Sequence, residues 1–184
     1  MQKTESLRAV SFSKQLALTA VFAALCFVGT FVIVLPLPNG YFNVGDVFVL
    51  LAGWCLGPLY GSVAAGLGSA LADIVSGFAI YVPATFLIKA LDAFVAYLVW
   101  AFFKKLFLDE RLDFLPRLFS AILGEGVMLG GYFLFESLLY GVAGAIPAIV
   151  GNLLQGGICA AVAVLFLSAL YPVKGVRALF PMLG

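Results

Sequence analysis

Five stretches of this chain, near residues 14–35, 60–79, 83–103, 117–140 and 146–171, are almost unbroken runs of apolar side chains. Each matches the roughly 17 to 25 residues that a helix needs to cross a bilayer. Hydrocarbon offers no water to backbone N–H and C=O groups, so segments of this kind must satisfy their hydrogen bonds internally, as helices. With 64% hydrophobic and 10% charged residues, the chain lies far from the roughly 25% charge of a soluble domain. The expected class is therefore an all-α integral membrane protein forming a single membrane domain over residues 1–184.

A sixth, shorter run at 42–57 decides the topology. If it spans, Lys3, Arg8, Lys14, Lys104, Lys105, Arg111, Arg117, Lys174 and Arg177 all fall on one side, as positive charge near short loops does on the cytoplasmic side. If it does not, the 104–117 loop moves outside. Six transmembrane helices with both termini cytoplasmic is the reading that obeys the rule. The run from Gln15 to Leu35 is too long for the apolar region of a signal peptide and is read as a retained helix.

Against this background the polar residues stand out. The stretch from Tyr81 to Asp92 opens an apolar helix yet carries Lys89 and Asp92 three residues apart on one face. Charges at membrane depth are costly unless paired or hydrated, which makes them functional-site candidates. Asp73 and Lys89 each lie about six residues from the outer end of their segment, roughly 9 Å at 1.5 Å per residue. Glu136, Asn152 and Gln155 fall near the same level on the last two helices. Residues packed at random would not collect on one side of the membrane, whereas the walls of a cavity open to the outside would. Buried ion pairing and helix-to-helix hydrogen bonding are the competing roles for each residue singly. Tyr41, Phe42, Tyr81, Tyr132 and Tyr140 supply flat faces near this level, and Asn43 and Asp46 end an outer loop begun by Pro36-Leu37-Pro38-Asn39-Gly40. The interior so assigned holds Asp46, Asp73, Asp92, Glu125 and Glu136 against Lys89 alone, which suits a neutral or weakly basic ring bearing hydroxyl or amino donors.

Several chemistries are excluded or disfavoured. There is no histidine, which removes histidine-based triads and zinc-protease motifs. Cys26, Cys55 and Cys159 sit singly in apolar runs and read as packing thiols, and no metal or other cofactor is expected. No phosphate-binding loop occurs, so the chain has no ATPase of its own, and no twofold internal repeat suggests a secondary transporter. A net charge of +1, with its cations in short flanking clusters, gives no basic face for nucleic acid. A small membrane enzyme using Asp73, Glu125 or Glu136, and a self-sufficient carrier, are the rival classes.

Taken together, these features resemble the substrate-binding S components of energy-coupling factor (ECF) vitamin transporters from about Lys14 to Pro172. The resemblance is carried by Ala20-x-x-x-Ala24, Gly40-Tyr41-Phe42-Asn43-Val44-Gly45-Asp46, Gly57-Pro58-Leu59-Tyr60-Gly61 and Ala72-Asp73. It continues in Pro83-Ala84-Thr85 ahead of Ile88-Lys89, in Gly131-Tyr132-Phe133-Leu134-Phe135-Glu136 and in Gly151-Asn152-Leu153-Leu154-Gln155-Gly156. It implies a multi-pass protein of the bacterial cytoplasmic membrane that captures a small water-soluble vitamin outside. It further implies docking, through Ala20 and Ala24 of the first helix, onto a transmembrane coupling protein (T component) that carries two cytoplasmic ATPase subunits. From depth and polarity, the substrate-binding set is Asn43, Asp73, Tyr81, Lys89, Tyr132, Glu136, Asn152 and Gln155. Among riboflavin, pyridoxine-type compounds and hydroxymethylpyrimidine, the ligands that the resemblance implies, an acidic, amide-bearing pocket favours the pyridoxine- or hydroxymethylpyrimidine-like ones, with riboflavin next.

Overall fold

The computed structural model describes residues 11–32, 34–37, 40–106 and 114–183. Four helices in it are long and apolar enough to cross a membrane: α1 (Phe12–Phe31), α2 (Gly45–Val75), α3 (Val82–Lys104) and α4 (Phe114–Leu170). Two of the four are interrupted. Gly57 (φ +83°) and Gly141 (φ +77°) adopt backbone angles that side chains with a Cβ disfavour, so α2 and α4 each consist of two helical stretches. Pro58 follows the first break at the opening of a helical stretch, where its missing N–H costs nothing.

Each interrupted helix doubles back. Gly61 packs against the backbone of Ala52 and Gly53, which returns the second half of α2 along the first. In α4, Gly156 lies against Glu125, and Arg117 Nη1 donates to Ser168 Oγ at 3.3 Å. α2 sits between α1 and α3, and α4 closes the bundle against α3 and α2. Close approach depends on small residues, as expected where helices meet in lipid. A Cβ on Gly68 of α2 would collide with the carbonyl of Ala23 in α1, and one on Gly53 would meet the carbonyl of Ala93 in α3. The centre is filled by Trp54, Trp100, Leu50 and Leu167, and Trp54 Nε1 donates to Ser120 Oγ at 3.0 Å. Outward faces remain apolar, as at Leu67, Leu91, Leu138 and Leu165, which suits contact with lipid.

The two ends of the bundle differ. At one end, Gly57 meets Met182, and Lys104 Nζ donates to the carbonyl of Leu183 at 2.6 Å. A short helix α5 (Lys174–Leu179) precedes this segment and brings Lys174 and Arg177 to the same end. At the other end lie a β-hairpin, the 76–81 turn and the Gly141 break.

Among the described residues, the hairpin is the one departure from helical elements. β1 (Val34–Leu37) pairs antiparallel with β2 (Gly40–Asn43), Val34 opposite Asn43 and Leu37 opposite Gly40. Helix α1 therefore stops at Phe31, short of the expected Leu35, and α2 begins at Gly45 instead of 42. The expected third span to residue 79 also ends early. Phe78 N bonds Asp73 O at 2.8 Å and Gly77 N bonds Ile74 O at 3.2 Å, a Schellman stop with Gly77 in the left-handed position. Asp73 consequently lies two residues from the end of α2, nearer the surface than its expected six. The last helical stretch starts after Gly141, ahead of the expected 146, and runs through Pro147. Lys3, Arg8, residues 107–113 and the Tyr41 side chain lie outside the described residues.

Because Gly68 touches the α1 backbone, Gly68→Leu is expected to lower stability by about 1–3 kcal/mol through overpacking. Gly126, which has open space where a Cβ would stand, is the control, and Gly126→Leu is expected to leave the midpoint unchanged. Thermal unfolding in detergent measures both.

Candidate functional site

A cavity of about 200 Å³ opens among the hairpin, the 76–81 turn and the neighbouring parts of α1, α2, α3 and α4. Its walls include all eight residues expected to bind substrate: Asn43, Asp73, Tyr81, Lys89, Tyr132, Glu136, Asn152 and Gln155. Thr30, Ser69, Phe78, Thr85, Ala148 and Gly151 complete it.

The cavity is built on one buried ion pair. Lys89 Nζ binds Asp46 Oδ1, and both residues are almost completely buried. The lysine stands on the third turn of α3, whereas Asp46 is the second residue of α2, where the partial positive charge of a helix N-terminus favours a carboxylate. By sequence spacing and depth, Asp92 one turn along α3 and the cavity residues Asp73 and Glu136 are the expected partners of Lys89. The hairpin overrides them by delivering α2's first turn directly above Lys89.

The second carboxylate oxygen of Asp46 accepts from Gln155 Nε2 at 2.6 Å. Gln155 Oε1 in turn accepts from both the backbone N and the Nδ2 of Asn43, each at 3.0 Å. Asn43 Oδ1 then accepts from Gly45 N at 2.9 Å, and its carbonyl oxygen lies 3.5 Å from Cys159 Sγ. Residues from β2, α2, α3 and α4 are thus joined in one buried chain of polar contacts. Gln155 and Asn43, both assigned to substrate, have much of their hydrogen-bonding capacity committed to this frame.

The groups left facing the cavity are chemically mixed. Tyr132 hydroxyl donates to Thr85 Oγ1 at 3.0 Å. Lys89 Nζ lies 5.4 Å from the Tyr132 ring centroid, close enough for a cation–π contact. Tyr81 packs edge-on to Phe135 at 5.3 Å and meets Tyr140 hydroxyl to hydroxyl at 3.3 Å. Asp73 and Glu136 offer carboxylate acceptors, Asn152 both a donor and an acceptor, and the tyrosines flat faces. Such a wall orients a small ring carrying hydroxyl or amino substituents.

Sequence reasoning passed over Asp46 as a binding-frame residue, although it lies in the quoted 40–46 run, because it reads as the tail of a surface loop. Its position next to a helix start was the available signal. Thr30, Ser69 and Thr85 gave none, since hydroxyls in membrane helices are commonplace. The three cysteines are free and buried, as expected of packing thiols. Away from the cavity, Ala20 and Ala24 are exposed on the outer face of α1, while Thr19, Phe22 and Cys26 face inward. They do not pack within this bundle.

The chain matches the family described as ECF-type riboflavin transporter, S component, over residues 11–172. It is 32% identical over 130 residues to an uncharacterised protein of Pyrococcus woesei, covering 70% of this chain and 82% of that one. It is also 28% identical over 145 residues to the thiamine precursor transporter HmpT of Lactococcus lactis subsp. cremoris (strain MG1363), covering 77% and 78% of the two chains.

Removing one member of a buried ion pair leaves the other uncompensated, typically at a cost of 3–5 kcal/mol. Lys89→Met is therefore expected to destabilise the protein by about that much, and Lys89→Met with Asp46→Asn to recover a large part of it. Thermal unfolding of the two single variants and the double variant measures the coupling.

Proposed function

The chain belongs to the family of ECF-type riboflavin transporter S components, a multi-pass membrane transport subunit and not an enzyme, and on that premise we propose that it is the vitamin-capturing subunit of an ATP-driven importer. The observation that carries this reading is the gathering of eight polar and aromatic residues from β2, the turn before α3, and helices α2, α3 and α4 around one cavity in an otherwise apolar bundle. Counting the two halves of α2 and of α4 separately supports a reading of six membrane crossings. Both termini are then cytoplasmic and the cavity faces outside. Lys104, Lys174 and Arg177 gather at the opposite, cytoplasmic end, in keeping with the placement of positive charge.

The ligand we assign is a pyridine or pyrimidine alcohol of the pyridoxine or hydroxymethylpyrimidine kind. A volume of about 200 Å³ falls below the roughly 300–1,000 Å³ usual for drug-sized ligands. The acceptors Asp73 and Glu136 suit hydroxyl and amino donors, and Tyr81 and Tyr132 suit a flat ring. A relative that transports a thiamine precursor supports the same choice. Riboflavin is the second reading, favoured by the description of the matched family.

For delivery, the exposed Ala20 and Ala24 form a flat strip on α1 that lets another helix approach closely. We assign it to docking on a transmembrane coupling protein bearing two cytoplasmic ATPases, since the chain has no phosphate-binding loop. Ala24→Trp is expected to abolish ATP-dependent uptake in vesicles containing the whole transporter while hydroxymethylpyrimidine, pyridoxine or riboflavin binding to the purified chain persists. Asn152→Ala is expected to do the reverse first, losing binding by more than about tenfold, the equivalent of one good hydrogen bond. Uptake by the chain alone, without partners or ATP, would sink the binding-subunit reading.

A further inference from the structure

Behind the wall of the cavity lies a second polar cluster that ligand capture does not use. Asp46, Asp92 and Glu125 come from α2, α3 and α4, are all buried, and each offers a carboxylate oxygen within 4.8 Å of the other two. None of the three lines the cavity. Asp46 is already bonded to Lys89 and Gln155. The remaining pair is not: both oxygens of Asp92 and both of Glu125 are buried without a hydrogen-bond partner. Asp92 is 0% and Glu125 7% exposed.

Space for these carboxylates is provided by glycine. A Cβ on Gly124 would stand 2.6 Å from Asp92 Oδ1, and one on Gly156 would stand 3.0 Å from Glu125 Oε2. The backbone thus makes room for two acids that receive no donor in return. Buried acceptors are normally satisfied, so two unpartnered carboxylates that each bring an oxygen to one place call for a ligand.

Charge defines its class. Among the described residues Lys89 is the cation in contact with the cluster, so three ionised carboxylates would leave two negative charges uncompensated in a low-dielectric interior. A donor set made only of carboxylate oxygen is hard, which excludes soft metals. Three oxygens no more than 4.8 Å apart surround a point at most about 2.8 Å from each, close to the 2.3–2.6 Å of Ca²⁺–oxygen contacts. Mg²⁺ demands shorter distances, near-octahedral geometry and retained waters.

We infer that Asp46, Asp92 and Glu125 form a buried site for one divalent cation of the Ca²⁺ type, which ties α2, α3 and α4 together beneath the vitamin cavity. The site shares Asp46 with the Lys89 ion pair, so the cation would steady the frame on which the cavity is built. This holds whichever ligand the cavity takes, and is tested apart from transport.

The test uses the full chain in detergent, stripped with a chelator and titrated with CaCl₂ by calorimetry, with MgCl₂ in parallel. One saturable Ca²⁺ site is expected, tighter than that for Mg²⁺, and Ca²⁺ should raise the unfolding temperature of the unsubstituted protein. Changes to residues outside a metal's own ligands already weaken affinity 10–100-fold, so Asp92→Asn and Glu125→Gln, near in shape and uncharged, are each expected to weaken it by more than about tenfold. The unsubstituted chain provides a readout that does not depend on how the variants fold. Failure to bind Ca²⁺ or to gain thermal stability would overturn the proposal. So would an infrared carbonyl band of protonated carboxylic acid in the metal-free and Ca²⁺-treated chain alike, lost in Glu125→Gln, since protons would then hold the site.

Discussion

The ion pair between Lys89 and Asp46 is the contact on which the polar half of this molecule depends. Neither charge would be tolerated alone at this depth, and each fixes more than its partner. Asp46 holds Gln155, Gln155 holds Asn43, and Asn43 caps the turn into α2 through Gly45. The pair therefore sets the position of the hairpin, the start of α2 and the last stretch of α4 together. A cavity requires such a frame, because its walls come from separate helices that lipid gives no hydrophobic reason to associate.

Small residues do the complementary work in the apolar half. Gly68 against Ala23, Gly53 against Ala93 and Gly61 against Ala52 bring backbones close enough for dispersion contacts to hold the helices. Gly57 and Gly141 let two helices reverse without a loop, so few of the described residues lie outside helices. The result is a bundle whose one end carries Met182 against Gly57 and whose other end carries the cavity. For a subunit that binds on one side and delivers to the other, that polarity of structure matches the function proposed.

Much of this was legible in the residues because the solvent is hydrocarbon. Apolar runs mark helices, and a polar side chain inside one is conspicuous. Asp73, Lys89, Glu136, Asn152 and Gln155 were picked out on that ground, and they line the same cavity. Depth counted along each helix was less secure, since the Schellman turn at Gly77 cut α2 short and raised Asp73 toward the surface. Pairing was not legible at all. Asp46, Asp92 and Glu125 are 46 and 33 residues apart in sequence, and no helical spacing rule connects them; only the fold makes them neighbours. The hairpin was equally hidden, because Pro36, Pro38 and Gly40 announce a break in helix but not what replaces it.

The central claim is that the cavity framed by Lys89 and Asp46 holds a small ring-bearing vitamin or vitamin precursor. Mass spectrometry of ligand released from the purified chain addresses it most directly. The account predicts a near-stoichiometric pyridine or pyrimidine alcohol, present in the unsubstituted protein and absent from Asn152→Ala. Recovery of a flavin would contradict the ligand assigned here, and recovery of the same compound in equal amount from Asn152→Ala would contradict the site.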